Sequence, residues 1–243
     1  MDSFGTIRKI SFVVPTFNEE GNIPPLADEI VTTAGNLGYP FEIIFIDDGS
    51  RDGTLSAIKA LAEAKPEVKY LSFSENRGQA AALYAGFQAA SGDTIITLDG
   101  DLQNDPADIS VMLASYGDYD MVNGWRHNRK DTLSKRIGSW VGNTFRNRMT
   151  RETIRDTGCG LKVMRASMVK RIKMFRGLHR FLPTLMRMEG ARVIEVKVNH
   201  RPRIWGKSKY NNLRRGIEGF QDVLAVRWMI RRTLSLPIRE SNV

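Results

Sequence analysis

Cysteine is nearly absent: Cys159 is the only one in 243 residues. No disulfide framework can form within the chain, which fits a reducing compartment. No apolar run approaches the roughly 20 residues of a membrane-spanning helix, and Met1 to Lys9 holds no apolar core of signal-peptide length. Any membrane contact is therefore expected to be peripheral or made through a partner. Neither a Walker loop nor a G-x-G-x-x-G fingerprint follows any apolar run, which argues against kinase, ATPase and dinucleotide-dehydrogenase chemistry. His127, His179 and His200 are scattered, with no metal-ligand spacing to one another or to Cys159. Internal repeats, low-complexity tracts and flexible linkers are lacking as well.

What is abundant is charge, unevenly placed. Residues 1–125 carry seven Lys/Arg against nineteen Asp/Glu, and residues 126–243 carry twenty-nine against eight, so that −12 and +21 make the net +9. An acidic half can hold a cation, and a basic half can hold phosphates or lie on anionic lipid. A solvated surface with a chance bias would have the same composition.

Three apolar runs, Ile10 to Val14, Glu42 to Ile46 and Thr94 to Leu98, each end in a polar or glycine-rich turn. Such runs read as buried parallel strands. Between them Asn22 to Asn36, Leu55 to Ala64 and the alanine-rich Gln79 to Ala90 have helical character, so strand and helix alternate as in a βαβ sheet. Ligands of such sheets sit beyond the C-terminal strand ends, and all three ends here carry acidic or turn-forming residues. Beyond Arg126, Leu133 to Thr150 places Ile137, Trp140, Val141, Phe145 and Met149 on one helical face. Leu213 to Trp228 repeats the pattern with Leu213, Ile217, Phe220, Leu224 and Trp228, flanked by Arg214, Arg215, Arg231 and Arg232. Apolar stripes with basic borders suit interfacial helices, and equally suit amphipathic helices packed on the sheet.

Asp99-Gly100-Asp101-Leu102-Gln103 is the strongest local signal. Two carboxylates separated by a small residue after a buried strand can reach one hard cation, Mg2+ or Mn2+, and Gln103 can add a carbonyl oxygen. Asp47 and Asp48 open a Gly- and Ser-rich turn in which Asp52 and Thr54 suit helix capping. A carboxylate there can accept hydrogen bonds from a base edge or a ribose hydroxyl. Pro15-Thr16-Phe17-Asn18-Glu19-Glu20 puts an aromatic at a strand end, where it can stack on a base or simply anchor a helix start.

Taken in order, Val-Val-Pro-Thr-Phe-Asn-Glu-Glu, Ile-Asp-Asp-Gly-Ser-Arg-Asp-Gly-Thr, Asn76-Arg77-Gly78 and Asp-Gly-Asp-Leu-Gln resemble the family 2 glycosyltransferases of GT-A fold. Asp156-Thr157-Gly158-Cys159-Gly160-Leu161-Lys162 and Arg201 to Lys209 look like the polyprenyl-phosphate branch, typified by the dolichol-phosphate mannose synthases. The resemblance runs from about Ile10 to Asn211. It implies a single α/β domain over 1–243, with a mainly parallel Rossmann-like sheet. About 1–125 would form the donor and metal half, and about 126–243 the acceptor and membrane-facing half, with its basic amphipathic helices.

The resemblance implies donor contacts at Pro15, Phe17, Glu19, Phe45, Asp47, Asp48 and Gly100, and metal ligands at Asp99, Asp101 and Gln103. Arg203 and Lys209 would lie in a loop closing over the donor diphosphate, and Arg126, Lys135 and Ser139 would hold the lipid phosphate. Phe17 stands where tyrosine is usual and Cys159 where serine is frequent, and many relatives carry C-terminal spanning helices.

The implied reaction is inverting, metal-dependent transfer from GDP-mannose or a UDP-hexose to a dolichyl or undecaprenyl phosphate. It would take place peripherally at the cytoplasmic face of a membrane with anionic lipid, with a membrane-anchoring partner possible and no nucleic acid involved. A polysaccharide or lipid A acceptor, and a non-enzymatic basic module, are the alternatives.

Overall fold

In the computed structural model, residues 7–127, 133–203 and 212–233 are described, with side chains omitted for 133–141 and 212–217. The chain builds a seven-stranded sheet from β1 (Ile10–Thr16), β2 (Phe41–Asp47), β3 (Val68–Ser72), β4 (Thr94–Thr97), β5 (Met121–Arg126), β6 (Lys162–Arg165) and β7 (Val193–Val198). Their order is β3-β2-β1-β4-β6-β5-β7. All neighbouring pairs are parallel except those of β6, which runs antiparallel to both β4 and β5. The expected mainly parallel sheet is observed, and it is continuous across the acidic and basic parts of the sequence.

The three expected strands are the central ones because their residues are apolar on both faces. In β1, Phe12 and Val14 face one core cluster while Val13 faces the other; in β2, Phe45 and Ile44 divide in the same way. Helices α1 (Ile23–Leu37), α2 (Thr54–Ala64) and α4 (Ile109–Leu113) supply the first cluster. Helices α3 (Gln79–Ala89), α6 (Ala166–Val169), α7 (Leu182–Met188) and part of α8 (Asn212–Arg232) supply the second. Helix α1 shows how local chemistry sets these limits. It buries Ile23, Leu26, Ala27, Ile30 and Ala34 at helical spacing, has proline in its first turn, and ends at Gly38 with φ of 73°.

Pro15 does not end β1, as its position in the sequence suggests; the strand continues to Thr16. Bonding alternates between flanks. The Val13 carbonyl accepts from Leu98 on the β4 side, and the Thr16 carbonyl accepts from Asp48 on the β2 side. Pro15 shares the parity of Val13, and β4 stops pairing at Thr97. Its missing N–H therefore faces a flank with no further strand residue to bond, the setting in which a sheet tolerates proline.

Helix α5 (Leu133–Thr150) packs against α8, with Phe145 and Phe220 stacked at 5.5 Å. On α8, Val223 and Val226 point into the core, while Phe220, Leu224 and Trp228 are 52%, 42% and 63% exposed. These three described members of the α8 stripe thus point outward. On α5, Met149 packs against the second core cluster, whereas Phe145 lies at the surface. No helix of the described residues is long and apolar enough to cross a membrane.

The tightest helix-on-sheet approach is at Gly86 of α3, where an added Cβ would meet Val13 Cγ1 and lie 2.7 Å from Ile46 Cδ1. Both are buried, and β-branched Val13 has no free rotamer to retreat into. Gly86→Ala should lower stability by about 1–3 kcal/mol through overpacking, despite alanine's better helix propensity, measured by urea denaturation. An unchanged or higher midpoint would show that α3 can lift from the sheet without cost.

Candidate active site

The C-terminal ends of β1, β2 and β4 face one cavity of about 770 Å³. Its acidic residues come from the first half of the chain, Glu19, Asp48, Asp99 and Asp101, which also contributes Arg77. Its basic wall comes from the second: Arg126, Lys162, Arg176, Arg180 and Arg203. The charge asymmetry of the sequence is thus a charge asymmetry across one cavity, tempered by Glu218 and Asp222 of α8 on the basic side.

The Asp99–Gln103 turn follows β4 directly. Leu102 adopts φ of 59°, a conformation costing about 1–3 kcal/mol for a residue with a side chain. Leu102 is also buried to 6% exposure, and burial of a leucine is worth about 1.5–3 kcal/mol. The two effects are of similar size, so burial can hold the turn that leaves Asp99 and Asp101 on the cavity wall. The turn is stitched by Asn104 Oδ1, which accepts from the Asp99 N–H at 3.1 Å, and by Asp101 Oδ1, which accepts from the Gln103 N–H at 3.2 Å. Gly160 lies so close to the Asp99 carboxylate that any side chain there would collide with it.

Burial, and then the neighbouring Asp101 charge, raise the Asp99 pKa to about 6, against the opposing pull of Arg126, Lys162 and a 2.9 Å hydrogen bond from Gln79 Nε2. Asp101 faces Arg203, whose Nη2 lies 2.6 Å from Oδ2, and the same guanidinium reaches Glu19 at 3.5 Å. Two neighbouring carboxylates, one with its proton affinity raised and the other already holding a cationic side chain, fit a divalent cation. Gln103 Nε2 donates to the Arg201 carbonyl at 3.3 Å, which leaves its Oε1 as the available ligand atom. No group of three or more His, Cys, Asp or Glu that could hold a metal is found among the described residues. A Mg2+ or Mn2+ ion here would complete its shell with substrate phosphate and water, the usual habit of Mg2+.

Asp48 has a different task. Its carboxylate accepts from the Arg77 N–H at 2.7 Å, the Gly78 N–H at 2.9 Å and Asn76 Nδ2 at 2.9 Å. Burial raises its pKa, while these bonds, which fasten the loop that starts α3, oppose the rise. The first two strand-end loops are cross-bonded in turn. Ser50 Oγ accepts from Asn18 N–H at 2.9 Å, Thr54 Oγ1 accepts from Glu19 N–H at 2.8 Å, and Glu20 accepts from Gly53 N–H at 2.6 Å.

On the basic wall, Arg126 forms a two-pronged pair with Asp156 at 2.8 and 2.9 Å. Burial works against both charges, but the pairing prevails: the Asp156 pKa is lowered and the Arg126 pKa raised. Lys162 is buried, and its Nζ donates to Asn123 Oδ1 and the Thr157 and Cys159 carbonyls at 2.6, 3.0 and 2.6 Å. Burial lowers its pKa and lifts that of Cys159 to about 11, so the Cys159 thiol is a packed and unreactive group.

Of the residues expected from sequence, Pro15, Phe17, Glu19, Asp48, Asp99, Gly100, Asp101, Gln103, Arg126 and Arg203 line the cavity. Phe45 and Asp47 do not. Phe45 is wholly enclosed in the core, facing away from the site, and the Asp47 carboxylate is used internally, accepting from Ser50 N–H at 3.1 Å and Ser72 Oγ at 2.9 Å. Lys209 and the side chains of Lys135 and Ser139 lie outside the described residues. Sequence reading missed Gln79, Arg176 and Arg180. It quoted Lys162 without giving it a role, although a lysine inside a short apolar stretch was a usable signal.

A 3-2-1-4-6-5-7 sheet with an Asp-x-Asp turn at the end of β4 defines a glycosyltransferase of GT-A fold. The comparisons agree. The family profile described as Glycosyl transferase family 2 matches residues 11–173. Dodecaprenyl-phosphate galacturonate synthase of Rhizobium johnstonii is 38% identical over 92% of this chain and 68% of its own length. Undecaprenyl-phosphate 4-deoxy-4-formamido-L-arabinose transferase of Salmonella typhimurium is 36% identical over 86% of this chain and 64% of its own. The chain therefore spans about two thirds of these relatives. Among solved structures, a mannosyltransferase from Pyrobaculum calidifontis in complex with GDP-Man and Mn2+ has a TM-score of 0.62 at 20% identity, covering 97% of this chain and 68% of that one. Glucosyl-3-phosphoglycerate synthase from Mycobacterium tuberculosis with Mn2+, UDP and phosphoglyceric acid scores 0.68 at 18% identity, covering 95% and 80%. The chain belongs to glycosyl transferase family 2.

The raised Asp99 pKa has a stability consequence in cation-free protein. The folded chain holds this proton more tightly than the unfolded chain. Ionised Asp99 therefore destabilises the fold increasingly as pH rises from the ordinary 3.8 to about 6, and constantly above that. Asp99→Asn, which can still accept from Gln79, should melt higher than the parent in EDTA at about pH 8, with the difference closing towards about pH 4. A lower melting temperature for the variant at the higher pH would mean that its neighbours stabilise the ionised carboxylate.

Proposed function

We propose that this enzyme transfers a glycosyl group, with inversion, from a nucleotide-sugar donor, GDP-mannose or a UDP-hexose, to the phosphate of a polyprenyl lipid. The observation that carries the reading is the single cavity with a carboxylate pair on one wall and a set of cations on the other. It is supported by the curated relatives, whose names differ in the sugar but share a polyprenyl phosphate.

Phe17 and Pro15 form the side of the cavity on which a base can lie, and Gly100, where a Cβ would meet Thr16 and the Pro15 carbonyl, lets the Asp99–Gln103 turn lie close against the end of β1 beside the donor. A Mg2+ or Mn2+ ion held by Asp99, Asp101 and Gln103 would supply the positive charge that a departing nucleoside diphosphate needs. Arg203, with Lys209, is the protein's own source of such charge. Arg126 keeps its Nη1 outside the fork to Asp156 and, with Lys135 and Ser139, is assigned to the lipid phosphate; Arg176 and Arg180 border the same space. That phosphate is already an anion, so its oxygen can attack the anomeric carbon without a dedicated base. The carbon–oxygen bond to the diphosphate breaks as the new one forms, and a single displacement inverts the centre.

One GT-A domain does this work, with about 1–125 handling donor and metal and about 126–243 facing acceptor and membrane. The location is peripheral, on the cytoplasmic face, held by anionic lipid with or without an anchoring partner protein. The outward stripe on α8 supports this placement.

Purified protein given a panel of nucleotide sugars, a short polyprenyl phosphate and Mn2+ or Mg2+ tests the reading. Asp101→Ala should cut turnover by roughly 100-fold or more with the fold intact by circular dichroism. Full activity in EDTA would refute the metal-assisted route. Arg203→Ala should lower kcat more than it weakens donor binding, because charge develops chiefly in the transition state. A change confined to KM would make Arg203 a ground-state contact.

A further inference from the structure

A second cavity, of about 420 Å³, lies between the C-terminal end of α5 and the C-terminal part of α8. Arg148, Met149, Arg151, Arg227, Ile230 and Arg231 line it. Among the described residues no carboxylate contributes to its wall. Several arginines elsewhere have counter-charges: Arg126 with Asp156, Arg165 with Asp120, Arg187 with Glu152, Arg201 with Glu29. Among the described residues none of these four makes an ion pair; Arg227 donates only to the Met149 sulfur, at 3.0 Å. Four planar, permanently charged donors around one small space, with no protein anion among them, suit the oxygens of a phosphate group.

The setting selects the source of that phosphate. Arg227 and Arg231 lie seven and eleven residues beyond Phe220, on the helix face that also carries Leu224. The exposed apolar stripe is therefore continuous with the rim of the basic cavity. A soluble anion would use the arginines and leave Phe220, Leu224 and Trp228 in water. A lipid uses both, its headgroup among the guanidiniums and its acyl boundary against the stripe.

We propose that this cavity is a headgroup-phosphate site for an anionic lipid, separate from the catalytic cavity. The proposal rests on the reading that the enzyme works on a membrane. It replaces general attraction to a negative surface with one defined site, which keeps the outer face of α8 on the bilayer.

The test uses the full chain and flotation with vesicles of phosphatidylcholine, with and without phosphatidylglycerol. Arg148→Gln with Arg231→Gln removes two exposed charges from the cavity. Lys173→Gln with Arg232→Gln removes two exposed charges that do not line it, and thermal melts check that both variants fold. The cavity variant should lose at least ten times more affinity for the anionic vesicles than the charge-matched variant. Equal losses would mean diffuse attraction and overturn the site. Saturable binding of inorganic phosphate that needs Arg148 and Arg231, with vesicle binding indifferent to them, would overturn the lipid assignment. If the parent floats with neither vesicle, the membrane reading itself fails; if it floats and the two variants lose affinity equally, only the cavity proposal fails. Neither result depends on sugar transfer.

Discussion

The molecule is organised around two carboxylates that repel one another. Asp99 and Asp101 are held on one wall of a cavity by a turn that tolerates a left-handed leucine, and a buried strand end leaves Asp99 little water to screen it. In isolation such a pair would relieve itself by protonation or movement. Here the second half of the fold supplies the relief: Arg203 on Asp101, and the charges of Arg126 and Lys162 acting on Asp99. The sheet provides the means. Antiparallel β6 passes between β4 and β5 and carries Lys162 from its own first position to the cavity.

This division explains what could and could not be read from residue order alone. Central strands β1, β2 and β4 were legible because continuous apolar runs are required when both faces of a strand are covered. Strands β5, β6 and β7 were not, since Asn123, Lys162, Arg165, Glu195 and Lys197 interrupt their apolar pattern. Edge strand β3 escaped for a related reason: Lys69 and Tyr70 are exposed, so its pattern is neither continuous nor strictly alternating. The metal-site candidates were legible because Asp-x-Asp concentrates charge in five residues. Phe45 and Asp47 differ from these candidates in placement: the adjacent Asp48 lines the cavity, while Phe45 lies in the core and the Asp47 carboxylate is hydrogen-bonded to Ser50 and Ser72.

The family match fixes the class of chemistry, and the geometry distributes it over the chain. The two curated relatives are named for different sugars, and the solved neighbours, at 18–20% identity, speak for the fold. The strand-end loops are cross-bonded through Asp48, Ser50, Thr54 and Glu20, so they have little freedom to reshape one at a time.

The Arg203–Asp101 contact also sets an order of events. In the cation-free molecule this arginine is an internal counter-ion, seated where a metal ligand must be vacated. A cation bound by Asp101, as proposed above, would compete with Arg203 for that carboxylate and leave the guanidinium to Glu19 and to a donor phosphate. An anion that captures Arg203 leaves Asp101 exposed and more attractive to a cation. Each ligand therefore prepares the place of the other, and reciprocity of linkage requires the two effects to be equal in size. With the metal ligands proposed above, one partly exposed ion pair would couple the two binding events, by no more than the modest strength of such a pair.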